Sequence, residues 1–102
     1  VKYRVEFAPE AREDLRQLYI YIADHAGPDR AMAYMERIEA YCRGFAAFPE
    51  RGIRREDVFP GLRIVGFERR VSIAYSVSSG VVTFYRVLYG GRYLSSIFSG
   101  GE

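Results

Sequence analysis

The sequence predicts an α+β domain of order β-α-α-β-β-β, with a helical hairpin packed on a small, mostly antiparallel sheet. Three observations predict it. Two amphipathic stripes at helical spacing come early and are parted only by Gly27-Pro28. Three alternating apolar segments come late, between Leu62 and Tyr89. One short alternation opens the chain.

That opening segment sets Tyr3, Val5 and Phe7 against Lys2, Arg4 and Glu6, the period of a half-buried strand. Pro9 suits a first helical position, where its missing N–H would be unpaired anyway. Glu10, Glu13 and Asp14 follow at the positive end of the helix dipole. Ala11, Leu15, Leu18, Tyr19, Ile22 and Ala26 recur every three or four residues, so the spacing predicts a helix over 9–26. Gly27 stops it and Pro28 starts the next. Ala31, Tyr34, Met35, Ile38, Tyr41, Cys42 and Phe45 carry a second stripe that runs to about Phe48, before Pro49. So short a junction forces an antiparallel hairpin.

Residues 49–61 read as a loop dense in Pro, Gly and charge. Strands are expected at about 62–67, 69–77 and 81–89, the last two joined by a tight Ser78-Ser79-Gly80 turn. Leu62, Ile64, Val71, Ile73, Tyr75, Val82, Phe84 and Val87 are the expected helix-facing core. The segment from Gly90 opens with a Gly-Gly break, and Leu94, Ile97 and Phe98 are expected to pack back as a short helical turn.

A length of 102 residues fits one domain, spanning 1–102. A hydrophobic fraction of 49% with 27% charged residues is that of a folded domain rather than a disordered one. No apolar run reaches the roughly 18 residues a membrane span needs. The segment VKYRVEF lacks the apolar region of a signal peptide. A lone cysteine, Cys42, suits a reducing compartment, so a cytoplasmic protein is expected.

The net charge of +2 argues against a bulk nucleic-acid binder. Its distribution is more informative. The first 59 residues hold ten basic and eleven acidic side chains, whereas Gly61 to Tyr93 hold five arginines and one carboxylate, Glu68. Fourteen of the fifteen basic residues are arginine, which suits oxyanion and interface recognition; a GC-rich genome would produce the same bias.

Residues for conventional catalysis are scarce. His25, the sole histidine, stands where an imidazole caps helix carbonyls. Cys42 lies on the apolar stripe of the second helix and reads as a structural thiol. One His and one Cys assemble no zinc site, and Gly90-Gly91 lacks the phosphate-loop patterns, so neither metal nor cofactor is expected. Glu13-Asp14 and Glu56-Asp57 read as solvated pairs. There remain Arg63, Arg69, Arg70, Arg86 and Arg92 with the neighbouring tyrosines. As a group they form a cationic, aromatic-lined surface suited to RNA phosphates or to an acidic protein. Singly, each also reads as a strand arginine laid over apolar surface by its stem.

The segments YRVEFAPEAREDLRQLYIYI, Phe48-Pro49, Gly61-Leu62-Arg63, VSIAYSV and FYRVLYGGRYL, in this order and spacing, resemble the ParE/RelE toxin superfamily, on its ParE side, from Tyr3 to Phe98. The resemblance implies the RelE/ParE-like β-α-α-β-β-β fold and a small toxin of a plasmid-stabilisation or related toxin–antitoxin system. It also implies neutralisation in a hetero-oligomer with a ParD-like antitoxin encoded in the same operon. ParE-type members resemble inhibitors of DNA gyrase that act as protein ligands, with no catalytic residues and no specific DNA binding of their own. RelE-type members resemble metal-independent endoribonucleases acting on ribosome-bound mRNA, with clustered cations and a tyrosine.

By strand position, Arg63 and Arg92 match two basic positions of the ribonuclease pattern. Val65 and Ser72 fall where further cations would stand, and Phe98 falls at the phenol. The expected activity is therefore gyrase poisoning, with ribosome-dependent mRNA cleavage as the alternative and a toxin reduced to antitoxin binding as a third. The chain departs from the ParE pattern at Tyr89, where His is frequent, and at Tyr93, where Asp is frequent. Ala8 replaces the usual N-cap, a loss of about 1 kcal/mol. The candidate target-binding residues are Arg63, Arg69, Arg70, Arg86, Arg92, Tyr93 and Phe98. The helical hairpin carries apolar side chains on more than one face, and its candidate antitoxin contacts are Tyr19, Tyr21, Ile22, Tyr34 and Tyr41.

Overall fold

A computed structural model describes residues 2–90. The expectations at Arg92, Tyr93, Leu94, Ile97 and Phe98 lie outside the described residues. The elements are β1 (Arg4–Phe7), α1 (Pro9–Ala26), α2 (Pro28–Arg43), a 3₁₀ turn (Gly44–Ala46), β2 (Ile53–Arg54), β3 (Arg63–Phe67), β4 (Val71–Ser78) and β5 (Val81–Tyr89). The five strands form one mixed sheet ordered β1-β5-β4-β3-β2. Only β1 runs parallel to its neighbour, pairing Arg4 with Val81 through Phe7 with Phe84. The other three pairings are antiparallel.

Both ends of α1 fall where the local chemistry predicts. Pro9 opens it without a side-chain cap from Ala8, and Gly27, at φ 96°, closes it before Pro28. The second helix is shorter than its stripe implies. It stops at Arg43, and Gly44, a poor helix former, begins a 3₁₀ turn that buries Phe45. The turn is pinned to the sheet margin where Tyr3 N–H donates to Ala46 O at 2.8 Å.

Residues 49–61 are not wholly a loop. Ile53 and Arg54 pair with Ile64 and Arg63, a two-residue strand too short to leave a periodic signal. Strand β4 starts at Val71 rather than 69 because Glu68 and Arg69 form a turn, both at positive φ. Ser79 and Gly80 turn β4 into β5 with positive φ at both, the geometry that suits a two-residue hairpin.

The main core lies between the helices and one face of the sheet. It unites Leu18, Ile38, Phe45, Val65, Phe67, Ile73, Tyr75, Val82, Phe84 and Val87. Leu62 and Ile64, expected there, belong instead to the opposite face with Ala74 and Leu88, under a cover of Val58, Phe59 and Tyr85. The segment LRIVGF is apolar in both phases, so alternation alone does not say which phase faces the helices. A β-bulge reconciles the remaining phases. Ala74 pairs with Arg86 and Tyr75 with Phe84, so Tyr85 is the extra residue. That shift lets Phe84 and Val87, an odd number of residues apart, face the same core.

Candidate functional site

A groove of about 640 Å³ opens between the end of α1, the start of α2 and the β3–β4 turn. Tyr21, Ile22, His25 and Ala26 line it from α1, and Tyr89 closes the β5 end. From α2 come Arg30, Ala33, Tyr34 and Arg37, at the three- and four-residue spacing of one helix face. Glu68 and Arg70 enter from the turn.

The turn is strained and held. Glu68 (φ 49°) and Arg69 (φ 65°) are both left-handed without being glycine. Arg37 binds Glu68 through Nε at 2.8 Å and a terminal nitrogen at 3.0 Å, tying the turn to α2. That charge-assisted fork holds the Glu68 carboxyl below its usual range and raises the guanidinium of Arg37. Arg37 also lies over the Tyr34 ring, 5.1 Å from its centre. At the strand end, Gly90 N–H donates to Arg70 O at 3.0 Å.

The floor is aromatic. The His25 ring lies 4.2 Å from Tyr21, and Tyr21 lies 5.3 Å from Tyr89. His25 Nδ1 meets Tyr21 O at 2.7 Å, the carbonyl contact expected for this imidazole. Tyr34 stands edge-on to Phe67 at 5.6 Å. Its hydroxyl is buried with no hydrogen-bond partner among the described residues, and burial, then the nearby Glu68 carboxylate, push its pKa up.

The sequence-derived candidates separate. Tyr21, Ile22, Tyr34 and Arg70 meet at the groove. Arg69 is exposed beside it on the same turn. Arg63 stands at the other end of β3, about 13 Å from Phe67 by strand rise, and reaches Arg51 O at 3.4 Å. Arg86 is turned inward: Asp14 accepts from it at 2.8 and 2.9 Å, with 18% and 10% of the two side chains exposed. Tyr41 donates to Gly66 O at 3.3 Å and packs on Phe45 and Phe67, working as a helix–sheet joint. Tyr19 is half-buried on α1 outside the groove lining. Val65 is buried toward the helices, and Ser72 alternates to the opposite face with Ala74. No group of His, Cys, Asp and Glu among the described residues is placed to hold a metal ion.

A family model described as the ParE toxin of the type II toxin–antitoxin system parDE matches residues 5–93. The chain belongs to the ParE toxin family. No curated protein matches it in sequence. Among solved structures it is similar to the chromosomal ParDE toxin–antitoxin system of P. aeruginosa, with a TM-score of 0.77 at 20% identity, covering 88% of this chain and 98% of that one. It is also similar to the RelBE2 toxin–antitoxin complex of Mycobacterium tuberculosis, with a TM-score of 0.62 at 23% identity, covering 87% and 92%. At these identities the likeness is one of fold: two helices on a five-stranded mixed sheet. No helix among the described residues of this ParE-family chain is long and apolar enough to cross a membrane.

Sequence reasoning about this ParE-family toxin did not single out Arg30, Arg37, Glu68 or Tyr89 as site residues. The 30-33-34-37 spacing was the available signal for the α2 wall, but the core stripe through Ile38 draws attention to another face.

Proposed function

We propose that this toxin poisons DNA gyrase in the cytoplasm through protein contacts and is held inactive by a ParD-like antitoxin. The observation that carries the reading is the sheet itself. The two positions at which the ribonuclease pattern would add cations lie on opposite faces, with Val65 in the core and Ser72 away from it. The cations that are present also disperse, Arg63 to one end of β3, Arg69 and Arg70 to the other, and Arg86 into a part-buried pair with Asp14. A phosphoryl-transfer site needs converging charge at one point, whereas a protein ligand can use separated contacts around a surface.

On this reading Arg69 and Arg70 are the leading target-binding residues, and Arg70, which also lines the groove, is covered when the antitoxin binds. The groove lined by Tyr21, Ile22 and Tyr34 receives the antitoxin. The direct experiment is a supercoiling assay with purified gyrase, titrating the toxin and following linear plasmid. Accumulating cleaved DNA supports the proposal. Intact supercoiling at a large toxin excess, with arrest of a translating extract, assigns the toxin to the ribosome instead.

A further inference from the structure

We infer that the groove reads a carboxylate: its occupant is an acidic segment of the antitoxin that carries an aromatic or aliphatic side chain beside an Asp or Glu. This rests on the reading of the groove as the antitoxin's seat and names the chemistry it selects.

Among the described residues, three arginines and one carboxylate line the groove. Glu68 is already consumed by Arg37 in a two-bond fork. Arg30 and Arg70 have no side-chain ion pair among the described residues, so the lining carries two uncommitted positive charges. Guanidinium groups donate and never accept, so the complementary group is an acceptor bearing negative charge. The ring series His25, Tyr21 and Tyr89 offers the apolar side of the same groove.

Nucleic acid also presents charge and rings. A whole-chain charge of only +2, with Glu68 on the rim, gives weak general attraction to a phosphate backbone and favours a peptide.

The test uses the full toxin and, as probe, the protein encoded by the adjoining reading frame of its operon, with affinity measured by calorimetry at two salt concentrations. Arg30→Ala and Arg70→Ala should each weaken binding by about tenfold or more and flatten its salt dependence. If Tyr21→Ala weakens binding but the two arginine variants bind like wild type, the groove seats the antitoxin without reading a carboxylate, and the inference is overturned alone. If wild type does not bind the probe, or Tyr21→Ala also binds unchanged, the seat itself is wrong and both fall. Displacement of the probe by a single-stranded oligonucleotide at equal concentration would assign the groove to nucleic acid and overturn the inference.

Discussion

Asp14 on α1 and Arg86 on β5, 72 residues apart, close a part-buried fork at 2.8 and 2.9 Å, and Asp14 Oδ2 also accepts the Val87 N–H at 2.8 Å. The second contact explains the first. Strand β1 pairs with β5 only as far as Phe7 and Phe84, followed by Ala8 N–H donating to Phe84 O. Beyond that point the outer edge of β5 has no partner strand among the described residues, and the carboxylate supplies an acceptor there. The pair therefore seals the edge where the bulge at Tyr85 disturbs the ladder, and it explains why an arginine interrupts an apolar strand.

Asp14→Ala should cost about 3–5 kcal/mol, because it strands a guanidinium and an amide in a mostly buried place. For a domain this size that corresponds to a melting temperature lower by roughly 15 °C or more. The double variant Asp14→Leu/Arg86→Met should recover much of the loss, since no uncompensated charge remains. Urea denaturation of the single and double variants checks this. Equal destabilisation in both would mean that packing, not charge, sets the cost. Loss of toxicity in Arg86→Ala would then be read through folding.

Tyr75 is expected to hold the segment before β2 in place. Its ring is fully buried against Phe45 and Phe84, while its hydroxyl reaches the carbonyls of Pro49 and Arg51 and accepts the Arg51 N–H. Tyr75→Phe keeps the ring and strands these groups, so a loss of about 1–3 kcal/mol is expected. Hydrogen exchange should speed first at Arg51 and then across Ile53 and Arg54. Unchanged exchange there would show that β2 is held by its pairing with β3 alone.

Gly52 has two independent reasons to be glycine. Its φ is 81°, and a Cβ placed on it would lie 2.3 Å from Ile64 O and 2.5 Å from Val65 Cγ1. Gly52→Ala should therefore break the Ile53–Ile64 pairing while the helices and β4–β5 persist, whereas Gly80→Ala, with open space around its Cβ, meets backbone strain only. Amide chemical shifts confined to β2 and β3 in the first variant would bear this out. Global unfolding would place β2 within the cooperative core.

The helix ends were legible because their signals are local: Pro9, Gly27 and Pro28 act on adjacent backbone. The β4–β5 hairpin was legible for the same reason. Features made by distant partners were not. Arg86 reads as a free cation until Asp14 is brought beside it, and Arg37 and Glu68 are 31 residues apart. The phase of Leu62 and Ile64 depends on which face the helices cover, and a segment apolar in both phases does not record that. The groove draws its walls from two helices, a turn and a strand end, so no contiguous motif announces it.

Cys42 makes stability fall at alkaline pH. The side chain is 1% exposed, and burial pushes its thiol from an ordinary 9.0 up to about 12. A thiol with a raised folded pKa keeps its proton in the fold while the unfolded chain loses it. Its contribution is complete below pH 9 and is lost as pH climbs toward 12. Between pH 9 and 10 that loss amounts to about 1 kcal/mol. Tyr34 and Tyr75, both raised by burial, add to the loss above pH 10, so the useful window is pH 8 to 10. Cys42→Ala should start lower at pH 8 because of the small cavity, by roughly 1–2 kcal/mol. It should then decline less steeply, so that the two urea-stability curves converge as pH rises. Native toxin at pH 8 should also resist alkylation by iodoacetamide until urea unfolds it. Parallel curves, or labelling of the folded chain, would show a thiol that water reaches, and the alkaline loss would then belong to the tyrosines alone.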